Sequence, residues 1–182
     1  MDPMKEGVLK LSNTAGCGGK KAGGIAAYNR TQTSQTCHFS PEDAQGLTAD
    51  GTYVIYDYFH KTAQICGGRD HIAAELEPEG FAWYQILPFD GKAVFLGLTE
   101  KYAGFSAVED MWFTEKGMMS ILREQGPTGF VCTRIPDRVF CNGADVTDLV
   151  VKEEDSTQAD VYTIALKQGN TRAVLEVCWE HQ

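Results

Sequence analysis

The chain lacks the features that mark most of the common function classes. Its 182 residues contain no apolar run near the ~18 residues that span a bilayer. Met1-Asp2-Pro3-Met4-Lys5-Glu6 has none of the apolar core of a secretory leader and precedes the first expected strand by only a few residues. Basic residues are scarce: 16 Lys and Arg stand against 25 Asp and Glu, a net charge of −9. That balance disfavours partners held through phosphates, whether nucleic acid or an anionic membrane. Closely spaced cysteine pairs are missing as well. The cysteines at 17, 37, 66, 132, 141 and 178 are scattered, without the spacing of a zinc ribbon or a redox motif, and read as buried free thiols of a cytoplasmic protein.

Reactive constellations are equally thin. No Gly-x-Ser-x-Gly elbow occurs, and Cys37-His38 is a dipeptide, whereas a catalytic pair is a spatial arrangement. His38, His60, His71 and His181 form no i, i+4 pair. The glycines around Gly16-Cys17-Gly18-Gly19-Lys20-Lys21 lack the phosphate-loop pattern and a following helix, so they read as a connection between strands. Asn29-Arg30-Thr31 fits a glycan acceptor, which has no meaning in a cytoplasmic chain. Asp57, Glu75, Glu77, Glu79, Glu100 and Glu109 are available as acids, but a carboxylate pair must converge in space. Asp57, between Tyr56 and Tyr58 on an apolar stretch, is expected to bond a backbone turn. No cofactor and no metal is expected.

What the chain does have is punctuation. Asp50-Gly51, Gly67-Gly68, Asp90-Gly91, Pro136-Asp137, Asn142-Gly143 and Gln168-Gly169-Asn170 separate short runs rich in Val, Ile, Tyr, Phe and Thr. This is how an all-β chain reads, and 43% hydrophobic residues suffice for a folded core. Strands are expected near 7–12, 22–29, 52–59, 62–66, 71–76, 80–87, 92–97, 117–124, 128–135, 138–142, 145–151, 159–167 and 171–179. Three hairpins are expected: 80–87 with 92–97 through Pro88-Phe89-Asp90-Gly91, 138–141 with 145–146 across Asn142-Gly143, and 160–167 with 171–179. In the last strand Ala173, Leu175, Val177 and Trp179 share the core face. Ser40-Pro41-Glu42-Asp43 starts a helical turn that Gly46 ends. The acidic stretch 152–158 reads as a mobile loop. The reading is one domain over residues 1–182, a two-sheet antiparallel β-sandwich.

Large aromatics supply the candidate contact surface. Trp83, Tyr84, Tyr102 and Trp112 are positioned to contact a carbohydrate ring or a neighbouring domain. Phe81, Trp83 and Gln85 share one face of their strand and Ala82, Tyr84 and Ile86 the other, so at least one of these aromatics belongs to the core.

The series Gly24-Ile25-Ala26-Ala27-Tyr28-Asn29, Ser40-Pro41-Glu42-Asp43 and Tyr53-Val54-Ile55-Tyr56-Asp57-Tyr58 resembles the segment after the catalytic barrel in alpha-galactosidase and raffinose-synthase-like glycosidases. The likeness continues through Ala74-Glu75-Leu76-Glu77-Pro78-Glu79-Gly80-Phe81, Trp83-Tyr84-Gln85-Ile86-Leu87-Pro88 and Gly97-Leu98-Thr99-Glu100-Lys101-Tyr102. It covers about residues 7–110, with 111–182 closing the sandwich. The resemblance implies a C-terminal accessory β-sandwich that packs against a catalytic barrel, on the same chain or missing from a fragment of a longer enzyme. A (β/α)₈ barrel needs about 200–250 residues of alternating strands and helices, and the family's catalytic aspartates lie there, so none carries over to a position in this chain. An open docking face, masked in isolation by a homodimer, is the expected consequence. A free-standing carbohydrate-binding module and a small enzyme of another type are the competing readings.

Overall fold

The computed structural model describes residues 7–153 and 159–179, and their regular structure is antiparallel strand punctuated by three single 3₁₀ turns. The strands in order are β1 (Val8–Cys17), β2 (Lys20–Asn29), β3 (Gln35–Phe39), β4 (Thr52–Asp57), β5 (Thr62–Gly67) and β6 (Ile72–Leu76). They continue with β7 (Phe81–Pro88), β8 (Ala93–Leu98), β9 (Val108–Phe113), β10 (Gly117–Leu122) and β11 (Thr128–Cys132). The series closes with β12 (Arg138–Cys141), β13 (Ala144–Asp145), β14 (Val150–Lys152), β15 (Asp160–Ile164) and β16 (Ala173–Cys178).

The all-β antiparallel sandwich expected from the sequence is what forms, but its strands divide among four sheets where two were expected, because the main sheet is covered on both faces. The main sheet runs β1-β2-β7-β4-β5; the others are β13-β12-β16-β10-β9, β14-β15-β11-β8 and the pair β3-β6. One face of the main sheet, with Ile25, Ile55, Tyr84 and Ile86, packs on Cys37, Phe39, Ile72 and Leu76 of the β3-β6 pair. From the opposite face Val54, Tyr56 and Leu87 meet Phe95, Met118, Phe130 and Leu175 of the other two sheets. Cover on both faces explains why residues 82–87 of β7 are all buried, and why that strand reads as an unbroken apolar run where a half-exposed strand would alternate.

Local chemistry explains several elements. The β1–β2 hairpin turns on Gly18 (φ 54°) and Gly19 (φ 78°), two successive left-handed positions that a residue with a Cβ resists. Asn142 (φ 51°) and Gly143 (φ 79°) make the corresponding turn between β12 and β13, as expected. Pro41–Asp43 forms one 3₁₀ turn, with the Asp43 carboxylate accepting from the Ser40 amide at 2.8 Å. Ala173, Leu175, Val177 and Trp179 do lie on the core side of β16.

Two expected hairpins are not formed. β7 and β8 belong to different sheets, as do β15 and β16. After Pro88 the chain buries Phe89, whose amide donates to the Thr52 carbonyl at 2.9 Å, and the Lys20–Asp90 ion pair at 2.7 Å holds the corner. The segment thus bends from one layer to the next. At the other corner Gly169 exchanges backbone hydrogen bonds with Gln125 at 2.9 and 3.0 Å instead of closing a hairpin. The run 145–151 is also broken, by a 3₁₀ turn at Thr147–Leu149 between β13 and β14. β3 and β9 arise where no strand was expected. Most of the stretch read as a mobile loop, residues 154–158, lies outside the described residues.

Candidate functional site

Aromatic side chains, several of them about half exposed, gather at one end of the main sheet's second face. On β7 the strand alternation puts Phe81 and Trp83 on that side, next to Tyr28 and Ala26, their register partners on β2. The β4–β5 turn adds Tyr58 and Phe59. This turn is built by Asp57: one carboxylate oxygen accepts from the amides of Phe59 (2.9 Å) and His60 (3.0 Å), and the other meets His60 Nδ1 at 2.9 Å. Lys61, at φ 58°, closes it. The turn-bonding role expected of Asp57 is therefore its observed one.

Tyr102 completes the cluster from the loop after β8. That loop is held by the Lys101–Glu124 ion pair and by Gly104 donating to the Lys101 carbonyl. The carbonyl of Tyr102 accepts from Trp83 Nε1 and, at 3.3 Å, from Gln85 Nε2. Its ring centroid lies 4.8 Å from Tyr58, 5.9 Å from Trp83 and 6.2 Å from both Phe59 and Phe81. Tyr102 is 51% exposed, Phe59 46% and Phe81 45%, while Trp83 is buried beneath them.

The geometry of the rings decides what this surface suits. The exposed three cross at 79° (Phe59–Phe81), 82° (Phe81–Tyr102) and 61° (Phe59–Tyr102). Edge-to-face packing of this kind is a favourable aromatic arrangement. Rings crossed at these angles share no common plane, whereas a sugar chain stacks best on aligned ring faces.

The polar margin of the cluster is crowded. Lys61 Nζ sits 4.3 Å from the Tyr58 centroid. Burial pulls the Lys61 ammonium below its ordinary value, against the opposing charges of Glu153, Asp57 and Glu100. Burial, then Tyr102 and Glu100, push the Tyr58 phenol up. Behind the rings, Tyr56 Oη and Gln85 Oε1 are buried without a hydrogen-bond partner, on residues that pair across β4 and β7.

Of the four aromatics singled out from the sequence, Trp83 and Tyr102 come together here. Tyr84 lies on the opposite face of β7, buried against Phe39 at 4.9 Å, where burial followed by the Asp57 carboxylate pushes its phenol up. Trp112 is on β9, at the edge of another sheet, and 37% exposed. Tyr58 and Phe59 were missed because they sit in a turn; Phe81 carried a signal, its i, i+2 relation to Trp83.

No family model matches the chain, and no curated protein matches it. Among solved structures it is similar to the isomalto-dextranase of Arthrobacter globiformis T6 complexed with panose, at 14% identity and a TM-score of 0.32. The alignment covers 93% of this chain and 35% of that one, so the chain spans about a third of that structure's length. A likeness of this degree transfers no activity.

Proposed function

We propose that this chain is an accessory β-sandwich that docks through the Phe59–Phe81–Tyr102 face onto another protein domain, a catalytic barrel of the alpha-galactosidase type being the partner that the sequence resemblance implies. The observation that carries the reading is the exposed edge-to-face cluster. Three aromatic side chains, each about half exposed, present roughly 300 Å² of surface. Burying it is worth roughly 7 kcal/mol at 25 cal/mol per Å². That gain is comparable to the ~4–15 kcal/mol cost of bringing two free bodies together. The face therefore fits a partner held close by covalent linkage, or a weak complex between separate chains.

Sedimentation of the full chain, alone and mixed with a purified alpha-galactosidase barrel lacking its own sandwich, tests this. Association with the barrel that weakens at least about tenfold in Tyr102→Asp and in Phe81→Asp is expected. Self-association of the chain alone, lost in the same variants, is the expected behaviour of an uncovered face. Barrel binding unaffected by both changes overturns the docking role of this face. Titration with neutral oligosaccharides separates the alternative: Trp fluorescence that saturates and is lost in Tyr102→Asp would make the surface a carbohydrate-binding module.

A further inference from the structure

Apart from the aromatic face, and sharing no residue with it, the chain forms an open pocket of about 120 Å³. It is lined by Lys92 before β8, Phe113 to Gly117 in the β9–β10 turn, Arg134 after β11, and Trp179 after β16. Hydrogen bonds tie these four segments into one frame. The Trp179 amide donates to the Lys116 carbonyl at 2.8 Å and its indole to the Arg134 carbonyl at 3.3 Å. The Thr133 amide donates to the Lys92 carbonyl at 3.0 Å, and the Thr114 amide to that of Gly117 at 2.8 Å. The pocket is thus preformed, which lowers the ordering cost of binding.

Its charge runs against that of the chain. The chain has 25 acidic residues to 16 basic, and five of its cations pair with a carboxylate at 2.5–3.0 Å: Lys10 with Asp43, Lys20 with Asp90, Lys101 with Glu124, Lys152 with Asp160 and Arg172 with Glu109. Lys92 and Lys116 have no such partner among the described residues. Both line this pocket, whose described lining also holds Arg134 and one acid, Glu115. Lys92 Nζ stands 6.0 Å from the centroid of the Phe113 ring, one of the two aromatic walls.

We infer that this pocket binds a small organic oxyanion, a carboxylate or phosphate monoester carried on a sugar-sized ring, with the anionic group between Lys92 and Lys116 and the ring against Phe113 and Trp179. A volume near 120 Å³ is well above the ~10–15 Å³ that one water needs by this measure, room for the head group, while the ring lies at the mouth. Lysine ammonium groups suit an oxyanion as point charges. The aromatic walls suit the C–H face of a ring and add nothing for a bare ion.

The test uses the full chain labelled with ¹⁵N, whose Trp179 indole and Gly117 amide report on the pocket, titrated with glucuronate, glucose 6-phosphate, glucose and inorganic phosphate. Saturable shifts at both reporters with either sugar anion, and weaker or none with glucose and phosphate, are expected. Lys92→Glu and Lys116→Glu, shown by circular dichroism to be folded, should each weaken binding roughly tenfold or more; Lys116→Gln keeps the size without the charge and should weaken it too. Glucose shifting the reporters as strongly as the anions, or neither anion shifting them, overturns the site. Inorganic phosphate binding as tightly as the sugar anions overturns the part assigned to the rings.

Discussion

The indole of Trp83 lies against the backbone of Gly24, so close that a Cβ on Gly24 would stand 2.5 Å from its Cζ2 and Cη2 atoms and 2.8 Å from Asn13 Oδ1. The absence of a side chain at Gly24 is what lets the indole settle on the sheet beneath Tyr102, at 66° to its ring. Gly24→Ala must push the ring outward. Overpacking of this kind costs about 1–3 kcal/mol. Urea unfolding should show that loss, Trp emission should shift to the red, and docking through the aromatic face should weaken. A midpoint and spectrum equal to those of the parent chain would show that the sheet relaxes without moving the indole.

Asn29 stands fully buried at the end of β2, where the resemblance to a glycan acceptor begins. Its Nδ2 donates to the carbonyls of Thr33 (2.8 Å), Leu76 (3.3 Å) and Glu77 (2.8 Å), and its Oδ1 accepts from the Thr31 amide (2.9 Å) and hydroxyl (2.8 Å). The amide thereby clamps the β2–β3 loop to the turn after β6. Asn29→Ala removes these bonds and orphans buried groups, a cost of about 3–5 kcal/mol, measurable by chemical denaturation.

Strand existence was legible where the chemistry is local, and sheet membership was not. The Asn142-Gly143 turn and the core face of β16 follow from turn chemistry and side-chain alternation alone. Pro88-Phe89-Asp90-Gly91 has the composition of a hairpin turn, but the burial of Phe89 against the rest of the fold turns it into a corner between layers. That choice depends on contacts distant in sequence. β3 was hidden because its five residues bury only Cys37 and Phe39, and β9 because Glu109 and Asp110 follow its first residue. At the candidate site, the parity of Phe81 and Trp83 was readable, whereas the arrival of Tyr58, Phe59 and Tyr102 from two separate loops was not.

Glu79 occupies the turn before β7 with φ at 58°, a left-handed conformation that costs a residue with a Cβ about 1–2 kcal/mol. Its side chain contributes one exposed hydrogen bond, accepted from Gln32 Nε2 at 2.7 Å. Glycine relieves the strain and loses that bond, with some added entropy in the unfolded chain. Glu79→Gly should therefore be stabilising by about 0.5–1 kcal/mol, raising the melting temperature by roughly 1–3 °C. A lower melting temperature would mean that the Gln32 contact outweighs the backbone strain.

The thiols set the response to alkali. Cys17 and Cys132 are buried, and desolvation raises each from 9.0 to about 12; Cys66 rises to about 11, again chiefly by burial. At pH 8 all three are protonated in both states, so they contribute no pH dependence there. Above pH 9 the unfolded chain releases these protons while the folded chain keeps them, so the native state binds more protons and stability falls as pH rises toward 11–12. Each thiol contributes a slope of about 1.4 kcal/mol per pH unit through that window. Buried Tyr56 and Tyr84, whose phenols are also pushed up by desolvation, extend the decline to higher pH. The urea midpoint should thus drop steeply between pH 9 and 11, and Cys132→Ala should reduce the slope by about one thiol's share once its lower starting stability is allowed for. In the native protein at pH 8 an aromatic disulfide reagent should modify the half-buried Cys178 first and leave Cys17 and Cys132 unreacted until denaturant is added. Rapid modification of all six thiols without denaturant, or a flat urea midpoint up to pH 11, would contradict the burial that raises them.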